Sequence, residues 1–396
     1  MSFNSTVSAL RPHIAFFGRR NAGKSSVVNA VTNQRISVVS DTLGTTTDPV
    51  QKAMELLPLG PVVIIDTPGF DDEGALGMLR VERTREVLRK TDIAVLVVDG
   101  TVGLSRADEA LIGEFISRGL PYLISVNKID LMENPPKEDK HTACVSALTG
   151  EGIGELKERL ATLIRNEEKE KFIVADLVEE GDIVVLVIPI DESAPKGRII
   201  LPQQQTLREL LDHHCIVICC QDTELKATLS KLNEKPKLVI TDSQAFKRVA
   251  ENTPPGVPMT SFSILFARYK GNLDGLIRGA NALKRLKDGD KVLISEGCTH
   301  HRQCGDIGTV KLPGWIRNYA CAEPAFTFTS GGAFPDDLSA YKVIVHCGGC
   351  MLNEKEMQHR QRTAASAGIP MVNYGVAIAA MNGILDRALK PVISEE

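Results

Sequence analysis

Between residues 13 and 165, short apolar runs alternate with stretches whose apolar residues recur every three or four positions. The runs are His13–Phe17, Pro61–Asp66, Ile93–Asp99, Tyr122–Asn127 and His141–Val145. Apolar runs interleaved with helical periodicity predict a mostly parallel, doubly wound sheet. The charged stretch Arg165–Lys171 follows and closes a first domain, residues 1–170. A second block, 171–264, alternates again. Asp182–Ile190, Cys215–Cys220 and Lys237–Thr241 read as strands, and Pro202–His213 as a helix with Leu207, Leu210 and Leu211 on one face. Three prolines make Asn252–Pro258 a loop. In the third block, 265–396, strands are expected at Lys291–Glu296 and Tyr341–Val345, a loop at Ser330–Asp337 and a helix near Asn353–Ala367.

The first strand runs into Gly18-Arg19-Arg20-Asn21-Ala22-Gly23-Lys24-Ser25, followed by Ser26. A glycine-rich turn between strand and helix wraps phosphates with backbone amides, and the helix N-terminus favours their charge. Lys24 is expected at the β- and γ-phosphates and Ser25 on Mg²⁺. Asp66-Thr67-Pro68-Gly69 follows the next expected strand; Asp66 would hold Mg²⁺ through water, and the Gly69 amide would sense the γ-phosphate. Asn127-Lys128-Ile129-Asp130 follows a later strand. A carboxylate at Asp130 can accept both donors of the guanine N1 and N2 edge, which adenine lacks. Ser146-Ala147 offers an amide for guanine O6. Together these motifs predict a P-loop GTPase domain binding GTP or GDP with Mg²⁺, so the fold class is α/β: that domain, then two smaller α/β domains. The segment Asp41–Asp48 resembles the first switch of bacterial GTPases of tRNA modification and ribosome assembly; the resemblance implies Thr46 as the Mg²⁺-contacting threonine, with Thr45 and Thr47 as adjacent rivals. Phe70, not glutamine, follows Gly69. In similar GTPases an asparagine at the place of Asn21 helps hold K⁺, so slow, K⁺-stimulated hydrolysis is expected.

The net charge of −4 argues against a nucleic-acid footprint. No apolar run reaches the roughly 20 residues that span a bilayer, and the first residues lack the regions of a signal peptide, so a cytoplasmic protein is expected. An odd number of cysteines, nine, disfavours a disulfide framework. Cys215, Cys219 and Cys220 read as core packing.

Cys298-Thr299-His300 and His346-Cys347-Gly348-Gly349-Cys350 each follow an expected strand. Sites of open α/β sheets gather beyond the carboxyl ends of strands, so the two clusters can meet. Three readings fit: a structural zinc site, dithiol redox chemistry at Cys347 and Cys350, and an iron–sulfur cluster on thiolates.

A GTPase domain, a middle α/β domain and Cys-x-His…His-Cys-x-x-Cys together resemble the [FeFe]-hydrogenase maturation GTPases of the HydF family, over essentially the whole chain. The resemblance implies a [4Fe-4S] cluster on Cys298, Cys347 and Cys350, with one iron left for an exchangeable ligand; His300, His346 and Glu296 are the candidates. It also implies a homodimer that receives a di-iron H-cluster precursor from two radical-SAM maturases and delivers it to apo-[FeFe]-hydrogenase. The middle domain is the expected dimerisation domain. The alternative is a ribosome- or RNA-associated GTPase with a zinc-binding C-terminal domain.

Overall fold

The computed structural model describes residues 11–34, 49–69, 84–167, 171–190, 199–270, 273–297, 306–349 and 352–393. Thr46, Phe70, Cys298, His300 and Cys350 lie outside the described residues. The chain divides into two compact units, Met1–Lys169 and Glu170–Glu396.

The first unit is built on strands β1 (His13–Gly18), β2 (Val50–Leu56), β3 (Gly60–Asp66), β4 (Ile93–Asp99), β5 (Tyr122–Asn127) and β6 (Thr142–Cys144). They lie in the order β2-β3-β1-β4-β5-β6. All neighbours are parallel except the β2–β3 pair. Because side chains alternate across a strand, β1 feeds two cores. Ile14 and Phe16 pack with Val28, Leu156 and Leu160 of the helices Lys24–Thr32 and Ile153–Glu167. Ala15 and Phe17 pack with Leu111 and Phe115 of the helix Arg106–Ser117. Burial on both faces explains the unbroken apolar run of β1. The sequence reading missed β2, an edge strand of which only Met54 and Leu56 are buried, so it carries no apolar run.

The second unit holds two four-stranded parallel sheets. One contains β7 (Ile183–Val187), β8 (Ile216–Cys220), β9 (Leu238–Thr241) and β10 (Met259–Ser261) in the order β10-β9-β7-β8. The other contains β11 (Lys291–Glu296), β12 (Ala325–Ser330), β13 (Val343–His346) and β14 (Met371–Asn373) in the order β12-β11-β13-β14. One continuous hydrophobic cluster includes residues of both sheets. The helix Phe262–Lys270 belongs to it: Phe262, Ile264, Leu265 and Phe266 are all buried, so it is apolar nearly all round. The expected helices appear at Leu201–Asp212 and Glu354–Ser366. Packing suits the buried Cys215, but β8 is a sheet edge and leaves Cys219 exposed.

Candidate functional site

Every described nucleotide motif sits at the carboxyl end of a strand of the first sheet. Gly18 ends β1, Asp66 ends β3, Asp99 ends β4 and Asn127 ends β5. Parallel register lines them up, with Phe16 opposite Asp66 and Asp99 opposite Asn127.

At the phosphate end, the Ser25 hydroxyl donates to Asp66 Oδ2 at 2.8 Å, and Lys24 Nζ lies 3.1 Å from Asp66 Oδ1. Asp66 is only 7% exposed. A hydroxyl and a carboxylate meeting beside a lysine form an oxygen donor set suited to Mg²⁺. Gly23 begins the helix at φ +82°, and a Cβ there would run into Asn127 Nδ2. Gly69 faces the phosphate loop: a Cβ there would lie 3.1 Å from the Arg20 amide nitrogen. Arg19 is turned aside, its Nε 3.0 Å from Asp108 and its Nη2 donating to the Gly103 carbonyl at 3.1 Å.

At the base end, Asn127 is 2% exposed and spans two motifs. Its Nδ2 donates to the Ala22 carbonyl at 3.1 Å, and its Oδ1 accepts the Ala147 amide at 3.0 Å. Lys128 Nζ donates to the Asn21 carbonyl at 3.0 Å and to Asp99 at 2.6 Å. Burial works against charge on Asp99, but the bonds from Lys128 and Thr101 prevail and hold its carboxyl below the usual range. Sequence reading missed Asp99; its only signal was its place at the end of an apolar strand. The Ser146 hydroxyl donates to Asp130 at 2.5 Å. Asn21 is exposed, with φ +62°.

In the second unit, β11 and β13 are hydrogen-bonded neighbours with Ser295 opposite His346. The Cys347 amide donates to the Ser295 carbonyl at 2.9 Å, continuing that pairing. Glu296-Gly297 and Cys347 therefore leave the sheet side by side. The Gly297 amide lies 3.0 Å and the Gly349 amide 3.3 Å from Cys347 Sγ, and both donate to it. In sequence these glycines immediately precede Cys298 and Cys350. Paired N–H donors stabilise a thiolate and tune sulfur ligands of iron, so the environment of Cys347 fits a cluster ligand.

His346 is fully buried. Arg360 Nη1 lies 3.0 Å from its Nε2, and its Nδ1 lies 2.8 Å from the Cys347 carbonyl. A guanidinium only donates, so Nε2 accepts and Nδ1–H donates to the carbonyl. Glu296 is buried and accepts the Tyr374 hydroxyl at 3.3 Å. Burial, then the Glu296 charge, push the Tyr374 phenol well above its ordinary range. Lys270, Arg360 and Tyr374 escaped the sequence reading, because each sits in a helix that reads as core or as a solvated face. Among the described residues no group of three or more His, Cys, Asp and Glu is disposed to hold a metal ion.

Residues 13–128 match the family model described as 50S ribosome-binding GTPase. Residues 173–271 match the Hydrogen maturase F dimerization domain, and residues 274–391 the Hydrogen maturase F tetramerization domain. The tRNA modification GTPase MnmE of Nitrosospira multiformis is 35% identical over 158 residues, 38% of this chain and 34% of that protein. GTPase Der of Kosmotoga olearia is 32% identical over 166 residues, 37% of this chain and 37% of its own. The chain thus spans about a third of the length of these curated relatives. A solved structure of Era, in complex with MgGDPNP and nucleotides 1506–1542 of 16S ribosomal RNA, aligns at TM-score 0.36 and 20% identity, over 54% of this chain and 94% of that one; so distant a likeness carries no argument. The first unit is a P-loop GTPase domain, and two models of one family run end to end through the second: the chain belongs to the hydrogen maturase F family.

Proposed function

We propose that this protein is a GTP-hydrolysing scaffold for maturation of [FeFe]-hydrogenase. Cys298, Cys347 and Cys350 hold a [4Fe-4S] cluster, and one iron keeps an exchangeable ligand. A di-iron precursor, made by two radical-SAM maturases, is the cargo, which the protein receives and passes to the apo-hydrogenase. The observation that carries this reading is the pair of backbone N–H groups aimed at Cys347 Sγ, from the glycines before Cys298 and Cys350. Bound there, a cluster would supply an iron open to a bridging ligand of the cargo.

Glu296 is the fourth-ligand candidate that fits best. It is a carboxylate at the end of β11, the strand paired with β13, and weak oxygen ligation to iron is readily displaced. His346 fits a positioning role, because both its ring nitrogens are engaged. His300 remains a candidate on its spacing alone.

The GTPase acts as a switch in this scheme. GTP and GDP with Mg²⁺ bind through Lys24, Ser25, Thr46, Asp66 and Gly69, and the nucleotide state biases partner docking. Asn21 is the candidate K⁺ ligand, and hydrolysis rises with K⁺. Equal turnover in matched K⁺ and Na⁺ buffers overturns that point. The chain works as a homodimer in the cytoplasm.

Anaerobic reconstitution with ferrous iron and sulfide tests the central reading. A broad band near 400 nm, bleached by dithionite and lost in Cys298→Ala, is expected. A ribosome- or RNA-associated GTPase with a zinc-binding tail is the second reading, favoured by the likeness of the first unit to a tRNA modification GTPase and to the 50S ribosome-binding GTPase model. Tight, colourless zinc without iron uptake would decide for it.

A further inference from the structure

We propose that Arg360 and Lys270 are positioning residues that hold the backbone on either side of Cys347, Arg360 through His346 and Lys270 at Gly349 and Leu352. The proposal rests on the reading that Cys347 is a cluster ligand.

Arg360 lies in the strongly charged helix Glu354–Ser366, yet it is among the largest fully buried side chains of the protein. Its Nε donates to Glu356 at 2.7 Å, its Nη1 to His346 Nε2 at 3.0 Å and its Nη2 to the Gly331 carbonyl at 2.8 Å. The guanidinium also lies 5.1 Å from the ring centroid of Phe334. One planar fork thus joins the helix, β13 and the loop after β12. His346 passes the constraint on, because its Nδ1–H holds the Cys347 carbonyl at 2.8 Å.

Lys270 holds the other side. It is the last residue of the apolar helix Phe262–Lys270 and only 5% exposed. Its Nζ donates to the carbonyls of Gly349 at 2.9 Å and Leu352 at 3.2 Å. Those carbonyls flank Cys350 and Met351 in sequence.

Burying a cation is costly unless hydrogen bonds replace its water. Two buried cations, from two helices, reach His346, Gly349 and Leu352. Apolar packing could shape a turn, but it brings no charge. Three thiolates on a [4Fe-4S]²⁺ core make an anionic unit, and reduction adds a further negative charge. Positive charge beside it favours the thiolates and the reduced state. Glu356 offsets the charge of Arg360, so Arg360 acts chiefly through geometry.

The test uses the full chain with Arg360→Lys, Arg360→Met, Lys270→Met and Lys270→Arg. After anaerobic reconstitution, iron and sulfide per chain, the EPR signal of the dithionite-reduced protein and the cluster midpoint potential are measured. GTP turnover serves as the fold control and is expected at the wild-type level; the thermal transition should fall in the methionine variants, which strand buried partners, so all measurements are made well below it. Arg360→Lys keeps charge but cannot bridge three segments, so it should lose iron and broaden the EPR signal as Arg360→Met does. Lys270→Met should shift the midpoint to more negative potential, and Lys270→Arg should restore it. Wild-type iron content, EPR signal and midpoint in both methionine variants overturn the proposal. Equal shifts in Lys270→Met and Lys270→Arg reduce Lys270 to packing and overturn its part. Should the methionine variants fail to fold, Arg360→Lys decides: a wild-type signal there overturns the proposal. Wild-type protein that takes up no iron overturns the cluster reading itself, and the proposal with it.

Discussion

Asn127 ties the phosphate loop to the base end of the nucleotide site. Its amide donates to the Ala22 carbonyl at 3.1 Å and accepts the Ala147 amide at 3.0 Å. The residue therefore sets the distance between two parts of the site, whatever it does to the base.

Replacing Asn127 with alanine strands the Ala22 carbonyl and the Ala147 amide. A buried group left unpaired costs about 1–3 kcal/mol, and the cost falls on the nucleotide-bound geometry. GTP and GDP affinity should both drop about tenfold or more, as read by titration with a fluorescent guanine nucleotide. Affinity within twofold of wild type would show that the bridge is dispensable.

Asp130 receives the Ser146 hydroxyl at 2.5 Å, which fixes its carboxylate. Asp130→Asn turns one acceptor into a donor, suited to the 2-oxo group of xanthine and not to the 2-amino group of guanine. GTP turnover should collapse while xanthosine triphosphate becomes a substrate. Competition assays with both nucleotides read the exchange, and unchanged preference for GTP would remove Asp130 from base recognition.

The strands at the site's centre were legible because burial on both faces leaves unbroken apolar runs such as β1 and β4. The phosphate loop and the guanine motif were legible because their chemistry admits few residue types. β12 and β14 were not: β12 is a largely exposed edge strand, and β14 has only three residues. Lys270 and Arg360 were invisible for a different reason. Their partners are a backbone turn 79 residues away in sequence and a histidine 14 residues away, and no local pattern encodes such partners.

The GTPase domain and Cys347 belong to separate compact units. Lys24→Ala removes the ammonium that now faces Asp66 at 3.1 Å and would meet the phosphates. GTP turnover should vanish, and iron and sulfide content should match wild type. Loss of the cluster in this variant would mean that the two units are not independent in folding or loading.

Tyr374 gives a pH signature for the Glu296 environment. Burial, then the Glu296 charge, raise its phenol far above the ordinary value of 10 in the folded chain. The phenol therefore adds stability in full below that ordinary value. Above it the unfolded chain loses the proton first, so stability falls as pH rises, by at most about 1.4 kcal/mol per pH unit. The loss of melting temperature between about pH 9 and about pH 11 should be smaller in Tyr374→Phe. Identical slopes in the two proteins would show that Tyr374 ionises freely when folded.

The edge strand β8 bears on self-association. Its burial pattern is open on both faces, and Ile216 is 53% exposed on a strand that, among the described residues, has no partner beyond it in its sheet. Natural proteins protect such edges with charge, bulges or cover, and β8 carries only Ile216, Val217, Ile218, Cys219 and Cys220. The residues belong to the stretch that matches a dimerisation model. Edge-to-edge pairing of two copies would satisfy the exposed backbone groups and bury Ile216. Ile216→Lys places a charge on that edge at little expense to the monomer, whose core does not use this side chain. Light scattering on a size-exclusion column should then show a lower mass than wild type, with GTP turnover retained. A mass unchanged from wild type would place the contact on another surface.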